Sequence, residues 1–264
     1  MSLIYNFTSF LEVAPTLSRL AGHADRLFQL HKVRTENDAH SLAYTPNIRG
    51  YFSIESVDVC IPESSKCLVR NLSFNVPFGI NTLILGPSGS GKSSIFRCLF
   101  GLWRIKEGSV TLDEHYFVIP SESLLITGSL IDQITYPDQI EYDMTLGLKI
   151  HEILRKLDLL HLEDRIPYSD VRFVSFWTSA LSHGEIQRLM LGRIFFHTPK
   201  YAFLDEATSK INGELEKSIL QAFQQQGTTV VSISNNIRAK DLFQQIVTLD
   251  GSGGYTVERT LAES

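Results

Sequence analysis

The sequence has no long apolar run. No stretch approaches the roughly 18 uninterrupted apolar residues that a membrane-spanning helix requires, so the 264 residues read as a soluble, cytosol-facing piece. An excess of basic charge is also missing. Lys and Arg number 24 against 29 Asp and Glu, a formal net charge of -5. Without a basic field, a nucleic-acid partner gets no electrostatic support. Cysteine is scarce. Cys60, Cys67 and Cys98 form no C-x-x-C pair, and an odd count at irregular spacing fits a reduced compartment and argues against a disulfide framework or a zinc site. The N-terminus lacks the basic region and cleavage site of a signal peptide. There are no internal repeats and no low-complexity tract.

What is present is a complete phosphate-binding loop: Gly86, Pro87, Ser88, Gly89, Ser90, Gly91, Lys92 and Ser93, followed by Ser94. The run before it, Thr82 to Leu85, is short, apolar and rich in strand formers. The run after it, Ser94 to Phe100, has no breaker and spaces its apolar residues like a helix. Strand, glycine loop and helix is the context in which such a loop works. Glycine lets successive backbone N–H groups curl inward around anionic oxygen. The helix N-terminus adds unsatisfied donors and partial positive charge. Lys92 supplies a point charge for the β- and γ-phosphates of ATP, and the Ser93 hydroxyl can ligate Mg²⁺.

Around this loop the chain divides. Over residues 1–30, Leu3, Phe7, Phe10, Ala14, Leu17, Ala21, Ala24 and Phe28 form one stripe of a long helix, with Pro15 as a kink or restart. So apolar a helix needs a cover, either the domain body or a larger structure from which it continues. Residues 31–50 are polar and read as a linker; residues 51–264 read as the domain proper. Residues 51–85 are strand-rich, 108–119 suggest a hairpin around Asp113-Glu114, and 145–165 are helical. The continuous apolar runs 201–204 and 228–233 suit central parallel strands covered on both faces. Asp250 to Gly254 joins the last two runs as a hairpin. The fold class is α/β.

Two further constellations carry chemistry. Asp205-Glu206 closes the strand 201–204, and the carboxyl ends of strands in open α/β sheets line the ligand crevice. There Asp205 would hold Mg²⁺ and Glu206 would polarise the attacking water. Taken alone, such a pair is more often the start of a helix. Upstream lies Leu181-Ser182-His183-Gly184-Glu185-Ile186-Gln187-Arg188. Standing alone, Ser182 with Glu185 three residues on is a helix capping box; as a helix N-terminus it can also bind an anion.

The set together resembles the nucleotide-binding domain of ABC transporters, over about residues 51–258. Finer phrases resemble subfamily D, the organellar half-transporters: Gly101-Leu-Trp103, Gly-Ser-Leu130-Ile-Asp-Gln-Ile-Thr-Tyr-Pro137, Phe195-Phe-His-Thr-Pro-Lys-Tyr201, Asp250-Gly-Ser-Gly-Gly-Tyr255 and Trp177 before the signature. The resemblance implies a P-loop NTPase with a RecA-like core, an antiparallel β subdomain and a helical subdomain, preceded by a long helix continuing from a transmembrane domain. It implies ATP and Mg²⁺ as cofactors. Its partners would be a second nucleotide-binding domain, against which Ser182, His183, Gly184 and Glu185 act in trans, and the transmembrane domain. Its place would be the cytosolic face of a peroxisomal or lysosomal membrane. Its cargo would be fatty acyl-CoA or another organellar substrate.

The chain departs from the family pattern at several positions. Ser121 stands where the family has a Gln that touches Mg²⁺, and Ser reaches there only through water. Asn235 stands at the switch histidine and can never carry charge. His183 replaces the signature's first glycine, and Ser209-Lys-Ile-Asn212 replaces a Ser-Ala-Leu-Asp type segment. Cys60-Ile61-Pro62 falls where many cassettes stack an aromatic on adenine; Tyr51 and Phe52 come too early. Losing one preorganised donor costs on the order of 10²–10³ in rate, so binding should survive better than turnover. The expectation is a slowly hydrolysing motor domain. The alternatives are a regulatory module paired with an active cassette, a soluble cassette acting on ribosomes or DNA, and a small-molecule kinase, which leaves the signature unexplained.

Overall fold

The computed structural model describes residues 44–46, 51–62, 64, 66–234 and 240–260. The expected helix over 1–30, most of the linker at 31–50 and Asn235 lie outside the described residues.

Two sheets organise the domain. The first has four strands in the order β1-β5-β2-β3: β1 (Tyr44–Pro46), β2 (Tyr51–Cys60), β3 (Cys67–Pro77) and β5 (Ser109–Leu112). β2 pairs antiparallel with both β3 and β5, while β1 runs parallel to β5 from inside the stretch that sequence polarity marks as linker. The second sheet has six strands in the order β10-β9-β4-β8-β7-β6: β4 (Thr82–Leu85), β6 (Tyr116–Ile119), β7 (Tyr201–Asp205), β8 (Thr229–Ile233), β9 (Gln245–Leu249) and β10 (Tyr255–Arg259). All neighbours in it are parallel except the terminal hairpin of β9 and β10.

The apolar runs explain this arrangement. β7 and β8 are buried at every residue, as both-faced cover demands. Along β7, Tyr201 and Phe203 face the four-stranded sheet, while Ala202 and Leu204 face the helices. Phe203 sits at the centre of the first layer, 5.3 Å from Phe52, 5.4 Å from Phe96 and 5.0 Å from Phe100 between ring centroids. Burying such a ring contributes about 1.5–3 kcal/mol before edge-to-face contacts are added. Phe52 is therefore a core residue, 1% exposed.

The helices are α1 (Lys92–Leu99), α2 (Leu130–Thr135), α3 (Met144–Lys156), α4 (Val174–Ala180), α5 (His183–His197) and α6 (Gly213–Gln225). α1 packs into the layer between the sheets, and its Ile95, Phe96 and Leu99 join Phe203. α2 to α5 build the helical lobe around Ile134, Ile150, Leu154, Trp177 and Leu189. Arg193 is buried in this lobe and donates to the Gln133 carbonyl (2.9 Å) and the Leu124 carbonyl (2.8 Å). Among the described residues, no helix is long and apolar enough to cross a membrane.

Two expectations are corrected. Residues 108–119 are not a hairpin: β5 and β6 belong to different sheets. The Asp113 carboxylate accepts from the His115 N–H (3.0 Å) and from Lys200 Nζ (2.6 Å), which turns the chain out of the first sheet and toward β7. The cysteines are not all unpaired. Cys60 and Cys67 are register partners at the end of the β2–β3 hairpin and are joined by a disulfide. A hairpin brings such residues face to face whatever their spacing in the sequence, and a search for C-x-x-C cannot see it.

Candidate nucleotide site

Register places the candidate residues on one edge. Ile84 of β4 lies opposite Ile233 of β8, Ile233 opposite Asp205 of β7, and Leu204 opposite Ile119 of β6. These strands are parallel, so Gly86, Ser234, Glu206 and Ser121 all follow strand ends along the same edge of the sheet. Asn235, the next residue after Ser234, lies outside the described residues.

The loop on β4 is built by its glycines. Gly86 has φ 153°, and a Cβ there would lie 2.8 Å from Ser90 Oγ and 2.9 Å from Leu249 Cβ. Gly91, at φ 103°, is the N-cap of α1 and leaves no room for a side chain against Leu68. No side chain caps α1 and no acid stands in its first turn, so its first N–H groups have no partner within the helix. Pro87, Ser88 and Gly89 are exposed, while Ser90, Gly91, Lys92 and Ser94 are buried. Lys92 Nζ is folded onto the loop, donating to the Gly86 carbonyl (2.8 Å) and the Pro87 carbonyl (3.0 Å). Ser90 Oγ is buried with no hydrogen-bond partner. The lysine is thus held by the carbonyls of the loop, beside a buried hydroxyl with no partner.

The first residue of the acidic pair, Asp205, meets this loop directly. Ser93 Oγ donates to Asp205 Oδ1 at 2.8 Å. Burial pushes the Asp205 carboxyl above its usual range; the Ser93 hydrogen bond opposes this and the charge of Glu206 adds to it. Two hard oxygen donors side by side in a carboxylate-bearing crevice suit a divalent cation, and a cation would return Asp205 to its charged form. Glu206 is held at φ 52°, in the left-handed region, with its N–H bonded to the Ile233 carbonyl (2.9 Å). Non-glycine residues held there concentrate at functional sites.

A profile of the ABC transporter family matches residues 69–209, more than half of the sequence. The chain belongs to the ABC transporter family. It is an ATP-binding domain of ABC ATPase type, and D-family members are among its relatives. It is 35% identical over 257 residues to ABC transporter D family member 1 of Arabidopsis thaliana, covering 91% of this chain and 19% of that protein. It is 30% identical over 287 residues to the lysosomal cobalamin transporter ABCD4 of Homo sapiens, covering 99% of this chain and 47% of that one. The chain therefore spans less than half the length of these relatives. Among solved structures, a bacterial Atm1-family ABC exporter with ATP bound shares the fold with a TM-score of 0.66 at 23% identity, over 78% of this chain and 38% of that chain.

The residues expected as the signature, Ser182 to Glu185, lie at the start of α5. Ser182 caps the helix: its Oγ donates to Glu185 Oε2 (2.7 Å) and accepts from the Glu185 N–H (3.3 Å). Glu185 is also bonded to His161 Nε2 at 2.7 Å. Burial raises its carboxyl, but the bonds from Ser182 and then His161 outweigh that and bring it down to about 2. His183 is exposed on the first turn. Gly184 is required for packing, since a Cβ would come 2.9 Å from the Lys210 carbonyl oxygen. Among the described residues, no hydrogen bond joins Ser182–Glu185 to the loop at 86–94. Ser121 is exposed on the loop after β6.

Sequence reasoning missed Gln187. It is buried, and its Nε2 donates to the Glu206 carbonyl (3.3 Å) and Ser209 Oγ (3.1 Å), while its Oε1 accepts from the Lys210 N–H (2.8 Å). A glutamine inside an otherwise apolar helix face was the available signal. A separate concavity of about 550 Å³ lies at the opposite edge of the sheet, lined by Phe78, Tyr116, Phe117, His197 and Lys200, and contains no phosphate cradle.

Proposed function

We propose that the chain is the ATP-binding, slowly hydrolysing motor domain of an ABC half-transporter. The observation that carries this is the Ser93–Asp205 contact beside the lysine-filled loop. Backbone donors of 86–94 and Lys92 would bind the triphosphate, Lys92 exchanging its loop carbonyls for phosphate oxygens. Ser93 and Asp205 would hold magnesium, with Ser121 near it through water; bound there, the ion neutralises phosphate charge. Glu206 orients and polarises the attacking water, and Asn235 donates a hydrogen bond to phosphate. A second cassette would present its own Ser182, His183, Gly184 and Glu185 across the ligand, so that two domains sandwich two nucleotides.

A transmembrane domain is the proposed second partner. A groove of about 710 Å³ beside α2 is lined by Ile126, Tyr136, Pro137, Ile140 and Val171, with Asp132 and Glu141 at its polar positions. Met144 and Phe173, close in sequence to the lining residues Glu141 and Val171, are exposed. The D-family relatives are at least twice as long as the matched region, so in them further chain exists to fill such a groove. The membrane is proposed to be organellar, peroxisomal or lysosomal, and the cargo a fatty acyl-CoA ester or another organellar substrate.

The second reading is a regulatory module pairing with an active cassette, favoured by Ser121 and His183 at positions where the family carries Gln and Gly. Binding and single-turnover hydrolysis of MgATP, measured on the same preparation, separate the two. Lys92→Met should weaken binding by about 10- to 150-fold, the value of one hydrogen bond to a charged group. Asn235→His should raise turnover. Binding without any turnover selects the regulatory module, and an unchanged rate in Asn235→His overturns the switch-residue argument.

A further inference from the structure

The hairpin that carries Cys60 and Cys67 forms a wall of the phosphate loop. β2 ends at Cys60 and β3 begins at its register partner Cys67. The next residue, Leu68, has its Cβ 2.9 Å from where a Cβ on Gly91 would stand, and Val69 Cγ2 follows at 3.4 Å. Arg70 then donates its N–H to the Gly253 carbonyl at 3.0 Å. Gly253 lies in the β9–β10 turn, where a Cβ on Gly251 would come 2.9 Å from Pro87 Cγ. The first four residues of β3 thus reach the loop at its last glycine and, through that turn, at its proline.

We propose that Cys60 and Cys67 are a redox modification site that sets the nucleotide affinity of this loop, an inference that rests on the loop binding nucleotide. In the disulfide form, a covalent tie fixes the start of β3 one residue from its contact with Gly91. In the dithiol form, the bonds that close the hairpin end beyond the strand pairing, among the described residues, are Ile61 N–H to Lys66 carbonyl (3.0 Å), Ser64 N–H to Ile61 carbonyl (3.2 Å) and Lys66 N–H to Ser64 Oγ (3.1 Å). Exposed bonds at a strand end open readily. Deeper in the hairpin, the Asp58 carboxylate accepts from the Asn71 N–H at 2.7 Å and does not depend on the disulfide, so reduction should loosen the wall without opening the sheet. A wall fixed before the ligand arrives leaves less ordering to be done on binding.

The chemistry is exchange with a low-molecular-weight disulfide. The half-buried Cys67 thiolate attacks it and expels one small thiol; the Cys60 thiolate attacks the mixed disulfide and expels the second. The protein sulfurs lose two electrons, and the two protons leave on the released thiols. Cys98 does not compete: it is buried in the layer under the first sheet, and burial pushes its thiol up to about 11.

The test is a titration of the unmodified 264-residue chain in buffers of graded small thiol and small disulfide. The oxidised fraction is read by alkylation and mass, and MgATP affinity is measured at each point. The oxidised chain should bind roughly threefold to tenfold tighter than the reduced chain. Cys60→Ser with Cys67→Ser should hold the reduced affinity at every ratio, and Cys98→Ser should follow the unmodified titration. Equal affinity in the fully oxidised and fully reduced chain overturns the proposal and leaves the nucleotide reading standing, as does failure of the pair to oxidise. Absence of binding in both states overturns the nucleotide reading and the proposal together.

Discussion

Gln187→Leu isolates the joint between the signature helix and the acidic strand end. Leucine keeps the bulk of the side chain and removes all three of its hydrogen bonds. The Lys210 N–H suffers most, because its bond is short and its own carbonyl is pressed against Gly184. Stranding that donor costs about 1–3 kcal/mol, and the two longer bonds add about 0.5–1 kcal/mol each. The total of about 2–5 kcal/mol lowers the urea midpoint by about 1–2 M for a domain of this size. Chemistry should fall further than stability. Gln187 holds the Glu206 carbonyl while Glu206 sits at φ 52°; released, that peptide relaxes toward ordinary φ and carries the carboxylate with it. A misplacement near 1 Å costs about 10²-fold, so single-turnover hydrolysis should drop about 10- to 100-fold. MgATP affinity, which rests on the loop, should stay within about threefold. Gln187→Glu keeps the acceptor for Lys210 and should fall between the two. A folded Gln187→Leu protein with reduced stability and an unchanged single-turnover rate would make Gln187 a structural brace and refute the reasoning.

Two further outcomes test other parts of the fold. Gly108→Ala should destabilise by about 2–4 kcal/mol, because φ is +89° and the new Cβ would lie 2.4 Å from the Glu55 carbonyl oxygen; a thermal melt within a degree of the parent would contradict this. Glu185, brought down to about 2 in the folded chain, lies below its unfolded value of about 4.3. Its contribution to stability is therefore complete above about pH 5 and is lost as pH falls toward about 2. The stability gap between the parent and Glu185→Gln, from urea midpoints across that range, should be flat at neutral pH and close on acidification. A gap that does not depend on pH would show that the carboxylate's charge is not what the cap uses.

The loop and the central strands were legible because each is specified locally. Gly86 to Ser93 needs only its own glycines, and the runs 201–204 and 228–233 declare two-sided burial by carrying no charged residue. The signature also declared its cap, since Ser182 and Glu185 are three residues apart on one helix turn. Long-range pairing was not legible in the same way. The strands at 109–112 and 116–119 look like a hairpin until Lys200, far along the chain, captures Asp113 and sends the second strand into the other sheet. Cys60 and Cys67 show the same limit, since their pairing follows from hairpin register and not from a motif. Gln187 stayed hidden because its partners, Glu206, Ser209 and Lys210, come together with it only after β7 has entered the sheet.

Of the positions where this chain departs from the family pattern, Ser121 and His183 lie outside the loop at 86–94. Pro87 to Gly91, Lys92 and the Ser93–Asp205 contact are intact, and these make the ground-state cradle. Ser121 and His183 are instead exposed, one on the loop beyond β6 and one on the first turn of α5. On the proposed reading, exposed residues at a strand edge and a helix start contribute little to holding a nucleotide that the loop at 86–94 captures. They matter when a second surface closes over it. His183 adds a ring where glycine would let backbone approach phosphate, and Ser121 is too short to span to a cation directly. The substitutions therefore weigh on closure and on the transition state far more than on capture. On the proposed reading, tight binding with slow turnover is the outcome expected from where these changes sit.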